Sequence, residues 1–332
     1  MKTLPELLGA FLTKHLPLNR GYSSNTVASY RDAFILFIQY METQNHTKPE
    51  KLDGTHFSLQ NVESFLQWLE AAKGSSITTR NNRLAAIKSF FRYAQSVAPE
   101  WISVAKPILA IRAKKAAEDS TIKYLSAEAI GCILNESFKS GGIRDAALLS
   151  LLYDSGARVQ EIADICVGDV HVTKPYTARL TGKGRKTRVV PIAVQTAKIL
   201  RKYLNEFGLT ISEQKLFSNW MGDPIGRAGI AYVLKKHVSA ANILSPEIVP
   251  RTATPHQFRH SRSMHLLENG VNLIYIRDLL GHVSVTTTER YAKANAELKR
   301  NAIERASSNI IKESNFDKGK KEDLLDWLRN VI

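Results

Sequence analysis

The side chains best suited to chemistry lie near the C-terminus, where histidines, arginines and a tyrosine follow helix starts and turns. Thr254, with proline and then glutamine at the first and third helical positions, predicts a capping box, so a helix begins there and ends at Gly270. His256 and Arg259 are three residues apart and lie on one face of that helix. The N–H groups of a helix start, an imidazole and a guanidinium together suit a phosphodiester oxygen. The alternative is a capped helix with incidental polar side chains.

A nucleophile could follow in the same stretch. His282 comes after a glycine that ends a short helix, and Tyr291 lies on the next helical segment. Taken alone, His282 is a solvated loop histidine and Tyr291 is an ordinary tyrosine, one of 11. A phenol, with a pKa of about 10, attacks phosphorus only if it loses its proton beside a charge-neutralised phosphate. Tyr291 therefore needs cations close to it.

Two upstream residues could supply those cations. Arg158 stands at the start of a predicted helix, where the alternative is a structural ion pair with Glu161 or Asp164. Lys183 lies between two glycines at the tip of a predicted hairpin, where the alternative is a solvated turn lysine. A mobile ammonium at such a tip could protonate a departing alkoxide.

A metal site is not predicted. His256 and His260 have the i, i+4 spacing of a zinc-binding helix, but Gln257 stands where a metalloprotease keeps its glutamate. No acidic third ligand lies nearby in the sequence, so we expect neither a metal nor another cofactor.

The N-terminal part of the chain is predicted to have a different function, because its sequence pattern is helical and one helix face is basic. Ser24 and Ser58 could each cap a helix, and a third helix is predicted over residues 77–97. The polar face of that third helix is predicted to contact DNA phosphates and base edges, and a solvated face is the alternative. This predicted DNA-binding face consists of Arg80, Asn81, Arg83, Lys88 and Arg92.

The chain reads as mainly α-helical with a small antiparallel β-sheet. A polar, basic stretch predicts a linker at 113–122 between a helical domain, 1–112, and an α+β domain, 123–311. Short strands are predicted at 169–172, 178–181 and 187–192. Residues 312–332 form a tail whose end, Lys320–Ile332, is a predicted amphipathic helix that needs a partner surface.

The amino-acid composition indicates the class of binding partner and the cellular compartment. The 332 residues carry a net charge of +15 with a pI near 9.7, which indicates a polyanionic partner, most often nucleic acid. No apolar segment reaches the ~20 residues of a membrane span, and no signal peptide is apparent. Two cysteines cannot form a disulfide framework, which fits a reducing cytoplasm.

The order and spacing of six residues resemble the catalytic signature of the tyrosine recombinases, the phage integrase and Xer-like family. They are Arg158 in SGARVQE, Lys183 in TGKGRKTRVVPI, His256 and Arg259 in PHQFRH, His282 in LLGH and Tyr291 in TTTERY. SSNTVASYRDAFILFIQY and ITTRNNRLAAIKSFFRYA look like the family's helical core-binding domain, so the resemblance covers nearly the whole chain. SGAR replaces the frequent TGLR and Phe258 a frequent Leu, and neither change falls on a catalytic position.

The resemblance implies a role for each of these residues. Two arginines, Arg158 and Arg259, would hold the non-bridging oxygens of the scissile phosphate, where guanidinium forks fit well. Tyr291 would attack and form a 3′-phosphotyrosine, and Lys183 would protonate the 5′-oxygen. The hydrogen-bonding histidines would be His256, as proton acceptor, and His282, with Glu161 supporting the site from behind. The family needs neither metal nor ATP.

The implied function is site-specific DNA recombination. The sequence of the C-terminal motifs is more similar to integrases and transposases of mobile elements than to chromosome-dimer resolvases. The implied partners are double-stranded DNA with paired sites, a homo-tetramer joined through the C-terminal helix, and accessory proteins. The implied location is the bacterial cytoplasm, at the nucleoid. The alternatives are Xer-like chromosome or plasmid dimer resolution, a non-catalytic DNA-binding accessory protein on the same fold, a type IB topoisomerase and a metal-dependent hydrolase.

Overall fold

The computed structural model describes residues 2–115, 123–182, 184, 186–281 and 329. The chain divides into two compact units, residues 1–118 and 119–332. Three predicted site residues lie outside the described residues, as does the predicted tail helix except for Arg329. Those three residues are Lys183, His282 and Tyr291.

The first unit is helical. An initial helix is continued by the π-helical residues Phe11–Asn19, and short 3-10 turns precede α3 and α5. The α-helices of this unit are α1 (Leu4–Ala10), α2 (Ser24–Asn45), α3 (Leu59–Ala71), α4 (Ile77–Val97) and α5 (Ile102–Ala110).

The core of this unit is rich in aromatic side chains that meet edge to face. Phe11 and Phe34 pack in this way on Phe90 with ring centroids 5.5 and 5.3 Å apart, and all three rings are buried. Such contacts add to the free energy gained by burying the rings. This core holds α1, α2 and α4 together.

Serine residues cap α2, α3 and α4, and the cap at Ser58 is the one that was predicted. Ser58 caps α3 and Ser76 caps α4 through hydrogen bonds to the backbone N–H three residues on. The prediction for α2 was wrong by one residue, because Ser23 is the cap and Ser24 is already helical. The hydroxyl of Ser23 accepts from the Thr26 N–H, which places the helix start one residue earlier.

The second unit combines helices with a small sheet. Its strands β1 (Val170–His171), β2 (Thr177–Thr181) and β3 (Thr187–Pro191) form an antiparallel sheet in the order β1-β2-β3. Thr181 pairs with Thr187, so β2 and β3 form the predicted hairpin with Lys183 in its connection. The helices are α6 (Ala127–Ser140), α7 (Gly142–Asp154), α8 (Val159–Asp164), α9 (Val194–Glu206), α10 (Arg227–Leu244), α11 (Pro255–Glu268) and α12 (Leu273–Leu280).

Helix α7 lies at the centre of this unit. It packs against α6, α9 and α11, and most of its side chains are buried. Burial on every side explains why its sequence shows no polar stripe. Its C-terminal end leads through Gly156 into α8, which places the start of α8 beside α11. In the described part of the chain, no helix is long and apolar enough to cross a membrane.

Candidate active site

The candidate site is built around the start of α8. Arg158 is the N-cap residue, and its backbone N–H donates to Oε2 of Glu161 at 2.8 Å. Its guanidinium Nη1 donates to Oε1 of the same carboxylate at 3.0 Å. The Arg158 side chain nevertheless remains 42% exposed, whereas that of Glu161 is only 2% exposed. Glu161 thus holds one edge of the guanidinium while much of it faces solvent.

A second arginine, Arg188 on β3, binds the same carboxylate. Its Nη1 and Nη2 donate to the two oxygens of Glu161 at 2.9 and 2.8 Å, a bidentate pair. Its Nε donates to the backbone carbonyl of Leu279 near the end of α12, at 2.7 Å. One largely buried guanidinium therefore joins the hairpin, the start of α8 and the end of α12.

The Glu161 carboxyl is held ionised by these contacts. Its burial raises the pKa, but the hydrogen bonds from Arg188 and the Arg158 backbone, with the charges of Arg188 and Arg259, more than offset this. The pKa of Glu161 is consequently lowered to about 2. The carboxylate remains an acceptor for both arginines at any pH at which the protein would act.

Arg259 on α11 is fully buried behind the site. Its Nη1 donates to the carbonyl of Gly156 at 2.7 Å and its Nη2 to the carbonyl of Leu280 at 2.5 Å. Gly156 lies two residues before Arg158, so α11 is tied to the segment that carries the first arginine. The structure thus brings Arg158, Glu161 and Arg259 into one neighbourhood.

The start of α11 has the predicted capping box. Thr254 Oγ1 accepts from the Gln257 N–H at 3.2 Å, and the Gln257 side chain accepts from the Thr254 N–H at 2.8 Å. His256 in the first turn is exposed and contacts His260 edge to face, with ring centroids 4.2 Å apart. Within the described ranges, no group of three or more His, Cys, Asp or Glu side chains could hold a metal ion.

Helix α11 is also anchored to α7. Arg262 donates to the carbonyl and the carboxylate of Asp154 at 2.9 and 2.7 Å and lies over the Tyr153 ring. The Tyr153 hydroxyl is 2.8 Å from Nδ1 of His265, whose pKa is lowered by burial. These contacts fix the rotation of α11 about its axis and so the direction in which His256 points.

Two glycines allow the network to close. A Cβ at Gly182 would lie 2.9 Å from Oε1 of Glu161, closer than a real side chain can approach. Gly281 has φ +63° at the C-terminus of α12, and a Cβ there would lie 3.0 Å from Nη1 of Arg188. Each glycine immediately precedes a predicted catalytic residue, Lys183 or His282, in the sequence.

The predicted DNA-binding face of α4 is largely engaged within its own unit. Arg80 is buried and faces Glu70 at 3.4 Å, so its prediction as part of an exposed face was wrong. Asn81 bonds both the N–H and the carbonyl of Lys114.

Of the remaining three residues of that face, two bond backbone carbonyls and one is exposed. Arg83 donates to the carbonyl of Ser29 at 2.7 Å, and Lys88 donates to the carbonyls of Leu109 and Ile111. Arg92 is exposed. The acceptors of Lys88 are carbonyls at the end of α5, where the helix leaves them without an intrahelical donor, and a pattern in α4 alone cannot reveal them.

Arg188 was not among the site residues predicted from the sequence. A signal for it exists, because Arg188 and Val190 stand two residues apart on β3 and therefore share a face of the sheet, on which Val190 is buried. A cation on the core side of a strand must be paired.

Two family models match the chain. The phage integrase family covers residues 123–297, and the N-terminal SAM-like domain of phage integrases covers residues 10–96. The chain therefore belongs to the phage integrase family. The family is that of the tyrosine site-specific recombinases, DNA-recombining enzymes.

Relatives agree with this assignment. A Sinorhizobium fredii protein named integrase/recombinase y4rC is 33% identical over 316 residues, covering 95% of both chains. The tyrosine recombinase XerD of Oceanobacillus iheyensis is 32% identical over 283 residues, covering 83% of this chain and 90% of XerD.

Solved structures share the fold. An integrase of the transposon Tn1549, in complex with transposon right end DNA, superposes with a TM-score of 0.66 at 17% identity, covering 90% of this chain and 99% of that one. The XerH recombinase bound to its difH substrate superposes with a TM-score of 0.65 at 20% identity, covering 88% and 83%.

Proposed function

We propose that the protein cuts and rejoins double-stranded DNA at specific sites through a covalent bond to Tyr291. The observation that carries this proposal is the Glu161 network, which holds Arg158 with its guanidinium partly exposed beside the segment to which Arg259 is bonded. Two guanidinium groups in one neighbourhood suit a phosphate that carries one negative charge and gains another during attack.

The chemistry that this arrangement supports is a transesterification. Oη of Tyr291 forms a bond to the scissile phosphorus while the bond to the 5′-oxygen breaks, and His256 accepts the phenolic proton. Lys183 donates a proton to the departing 5′-oxygen, and His282 hydrogen-bonds the phosphate. The phosphotyrosine keeps the energy of the phosphodiester, so rejoining needs no ATP.

The primary test is covalent trapping. The binding site is first located by footprinting on the DNA that flanks the gene, and a duplex of that sequence is nicked next to the cleavage point so that the cut strand is lost. We expect a denaturation-resistant protein–DNA adduct with the wild type and none with Tyr291→Phe, whose DNA binding remains. An adduct in the phenylalanine variant would rule out Tyr291 as nucleophile. Full binding with no adduct in the wild type would favour the non-catalytic accessory protein.

A second test addresses Lys183. We expect Lys183→Ala to slow cleavage strongly on ordinary DNA and much less on a 5′-phosphorothiolate, whose sulfur leaves without protonation. Lys186→Ala, on the same hairpin, serves as the matched control. Equal loss on both substrates would argue against a general acid at position 183.

Integration or transposition of a mobile element is the biological role that we propose, with dimer resolution as the second candidate. The y4rC and XerD relatives are 33% and 32% identical, so identity alone favours neither role. Plasmids carrying two copies of the footprinted site in cis, or one site on each of two plasmids, distinguish resolution from intermolecular joining.

We further propose DNA and other copies of this chain as partners, with domain limits at 1–112, 113–122, 123–311 and 312–332. An apolar groove of about 690 Å³ in the second unit could receive the tail helix of a neighbouring protomer. Its apolar lining includes Val189, Leu266, Val271, Tyr275 and Ile276. We expect removal of residues 312–332 to abolish tetramers on DNA, measured by light scattering, while single-site binding remains.

A further inference from the structure

Arg188 is the one described side chain that bonds the hairpin strand, α8 and α12 together. It lies on β3 and is 13% exposed. Its Nε bonds the Leu279 carbonyl, and its Nη1 and Nη2 bond the two oxygens of Glu161. All three nitrogens of the guanidinium are therefore used inside the protein, and we assign Arg188 no contact with DNA.

Through Glu161 the effect of Arg188 reaches Arg158. The bidentate pair fixes the plane of the carboxylate, and the same carboxylate receives both the backbone N–H and Nη1 of Arg158. Because Arg158 is 42% exposed, little besides Glu161 constrains the direction of its guanidinium. If the Glu161 carboxylate rotated, the Arg158 guanidinium would therefore turn away from the direction that it has in the structure.

Through Leu279 the effect reaches the end of α12. Leu279 lies two residues before Gly281, which adopts φ +63° and packs so closely that a Cβ would lie 3.0 Å from Nη1 of Arg188. The chain continues directly from Gly281 to His282. The direction of the chain at Gly281 thus depends on the position of the Arg188 guanidinium.

We propose that Arg188 is a positioning residue for strand cleavage, which orients Arg158 through Glu161 and sets the course of the chain at Leu279–Gly281 that leads to His282. This inference rests on the proposed function, because it concerns groups of that same site. The inference goes beyond the proposed function because it gives a role in the reaction to a residue that contacts no reacting atom.

The chemistry requires arginine at this position. A planar fork can bond two carboxylate oxygens along one edge and a carbonyl along another, whereas an ammonium is a compact charge without that geometry. Lysine at 188 would keep the positive charge beside Glu161 and lose the simultaneous contact with Leu279. Arg188→Lys therefore separates positioning from charge.

The first experiment compares Arg188→Lys with Arg179→Lys, a matched control on the adjacent strand whose exposed arginine pairs with Asp169. We expect Arg188→Lys to bind the footprinted duplex as the wild type does and to form the Tyr291 adduct about 10²-fold more slowly, since small misplacements have effects of that size. The Arg179→Lys variant should form adduct at the wild-type rate. Hydrogen exchange over residues 273–281 should be faster only in Arg188→Lys.

The second experiment uses pH as a readout that a purely structural role would not change. The charged groups that face Glu161 are Arg158 on its own helix, Arg188 on β3 and Arg259 on α11. In Arg188→Met the pKa of Glu161 must rise, so adduct formation relative to wild type should fall as pH drops from 8 to 5. The double variant Arg188→Met, Glu161→Gln has no carboxyl to titrate, and its rate relative to wild type should not change with pH.

The outcomes separate the two proposals. A wild-type adduct together with an unimpaired Arg188→Lys would overturn the positioning role and leave the proposed function intact. Slow cleavage in Arg188→Lys with unchanged exchange at 273–281, or equal pH dependence in Arg188→Met and the double variant, would also overturn it. If the wild type forms no Tyr291 adduct, the proposed function fails. In that case unchanged exchange in Arg188→Lys would overturn the structural link as well.

Discussion

Helix α4 of the first unit and the start of α8 in the second both gather basic side chains, and they use them differently. On α4, Arg83 and Lys88 end on backbone carbonyls, and the buried Arg80 faces Glu70. Around α8, Arg158 is held along one edge by Glu161 and remains 42% exposed. Between these two helix segments, the difference is that the protein partner of Arg158 leaves part of its guanidinium uncovered, whereas Arg80, Arg83 and Lys88 are taken up by partners within their own unit.

Loss of Arg158 should give the largest effect in this comparison. We expect Arg158→Ala to reduce adduct formation by about 10²–10³-fold, because a donor aimed at developing charge contributes that much. Stability should change little, since Arg188 still pairs with Glu161. Single-turnover cleavage of the nicked duplex and urea unfolding measure the two quantities, with Arg179→Ala as control. An equal loss of adduct formation in both variants would show that the effect is not specific to Arg158.

Protonation of Glu161 comes next. Its pKa is about 2 in the folded protein against a usual 4.5, so its contribution is fully present above pH 4.5 and is lost as pH falls towards 2. The contribution to the free energy of unfolding is on the order of 3 kcal/mol. The stability difference between wild type and Glu161→Gln should shrink over this window. Hydrogen exchange in residues 123–281 measures it, and Glu128→Gln on the exposed side of α6 should show no such narrowing.

Lys88 should matter for folding of the first unit rather than for chemistry. Lys88→Met leaves the carbonyls of Leu109 and Ile111 without this donor, and we expect a loss of about 1–3 kcal/mol in the stability of that unit. Hydrogen exchange in residues 2–111 provides the measurement. Cleavage by the folded fraction should be unchanged, and a loss comparable to that of Arg158→Ala would place Lys88 with the catalytic cations instead.

Arg92 should give the smallest change. It is the one member of the predicted DNA-binding face whose side chain is exposed, so we expect Arg92→Gln to lower the salt dependence of DNA binding by about one unit of slope. Titrations at several salt concentrations measure this slope. Lys88→Met should leave it unaltered, and the reverse pattern would contradict the division drawn on α4.

Most local signals were read correctly from the sequence, although the cap of α2 is Ser23 and not Ser24. The Thr254 capping box, the serine cap at Ser58 and the glycine end of α12 depend on residues within one turn of each other. Their physics is short-range, so the sequence window contains both partners.

The missed features of the site and of the α4 face depend on partners far along the chain. Arg188 pairs with Glu161 across 27 residues and with Leu279 across 91, and Lys88 reaches carbonyls 21 and 23 residues away. No periodicity of one helix or strand encodes such partners. The basic face of α4 therefore resembled a DNA-binding surface, although the folded unit occupies much of it.

Gly182 has a consequence for attempts to redesign this enzyme. It contributes no functional atom, yet any side chain there would meet the Glu161 carboxylate at 2.9 Å. A library that randomises the hairpin to alter specificity would lose most of its active members at this one position. Holding residue 182 constant while varying its neighbours keeps the search within sequences that can still assemble the site.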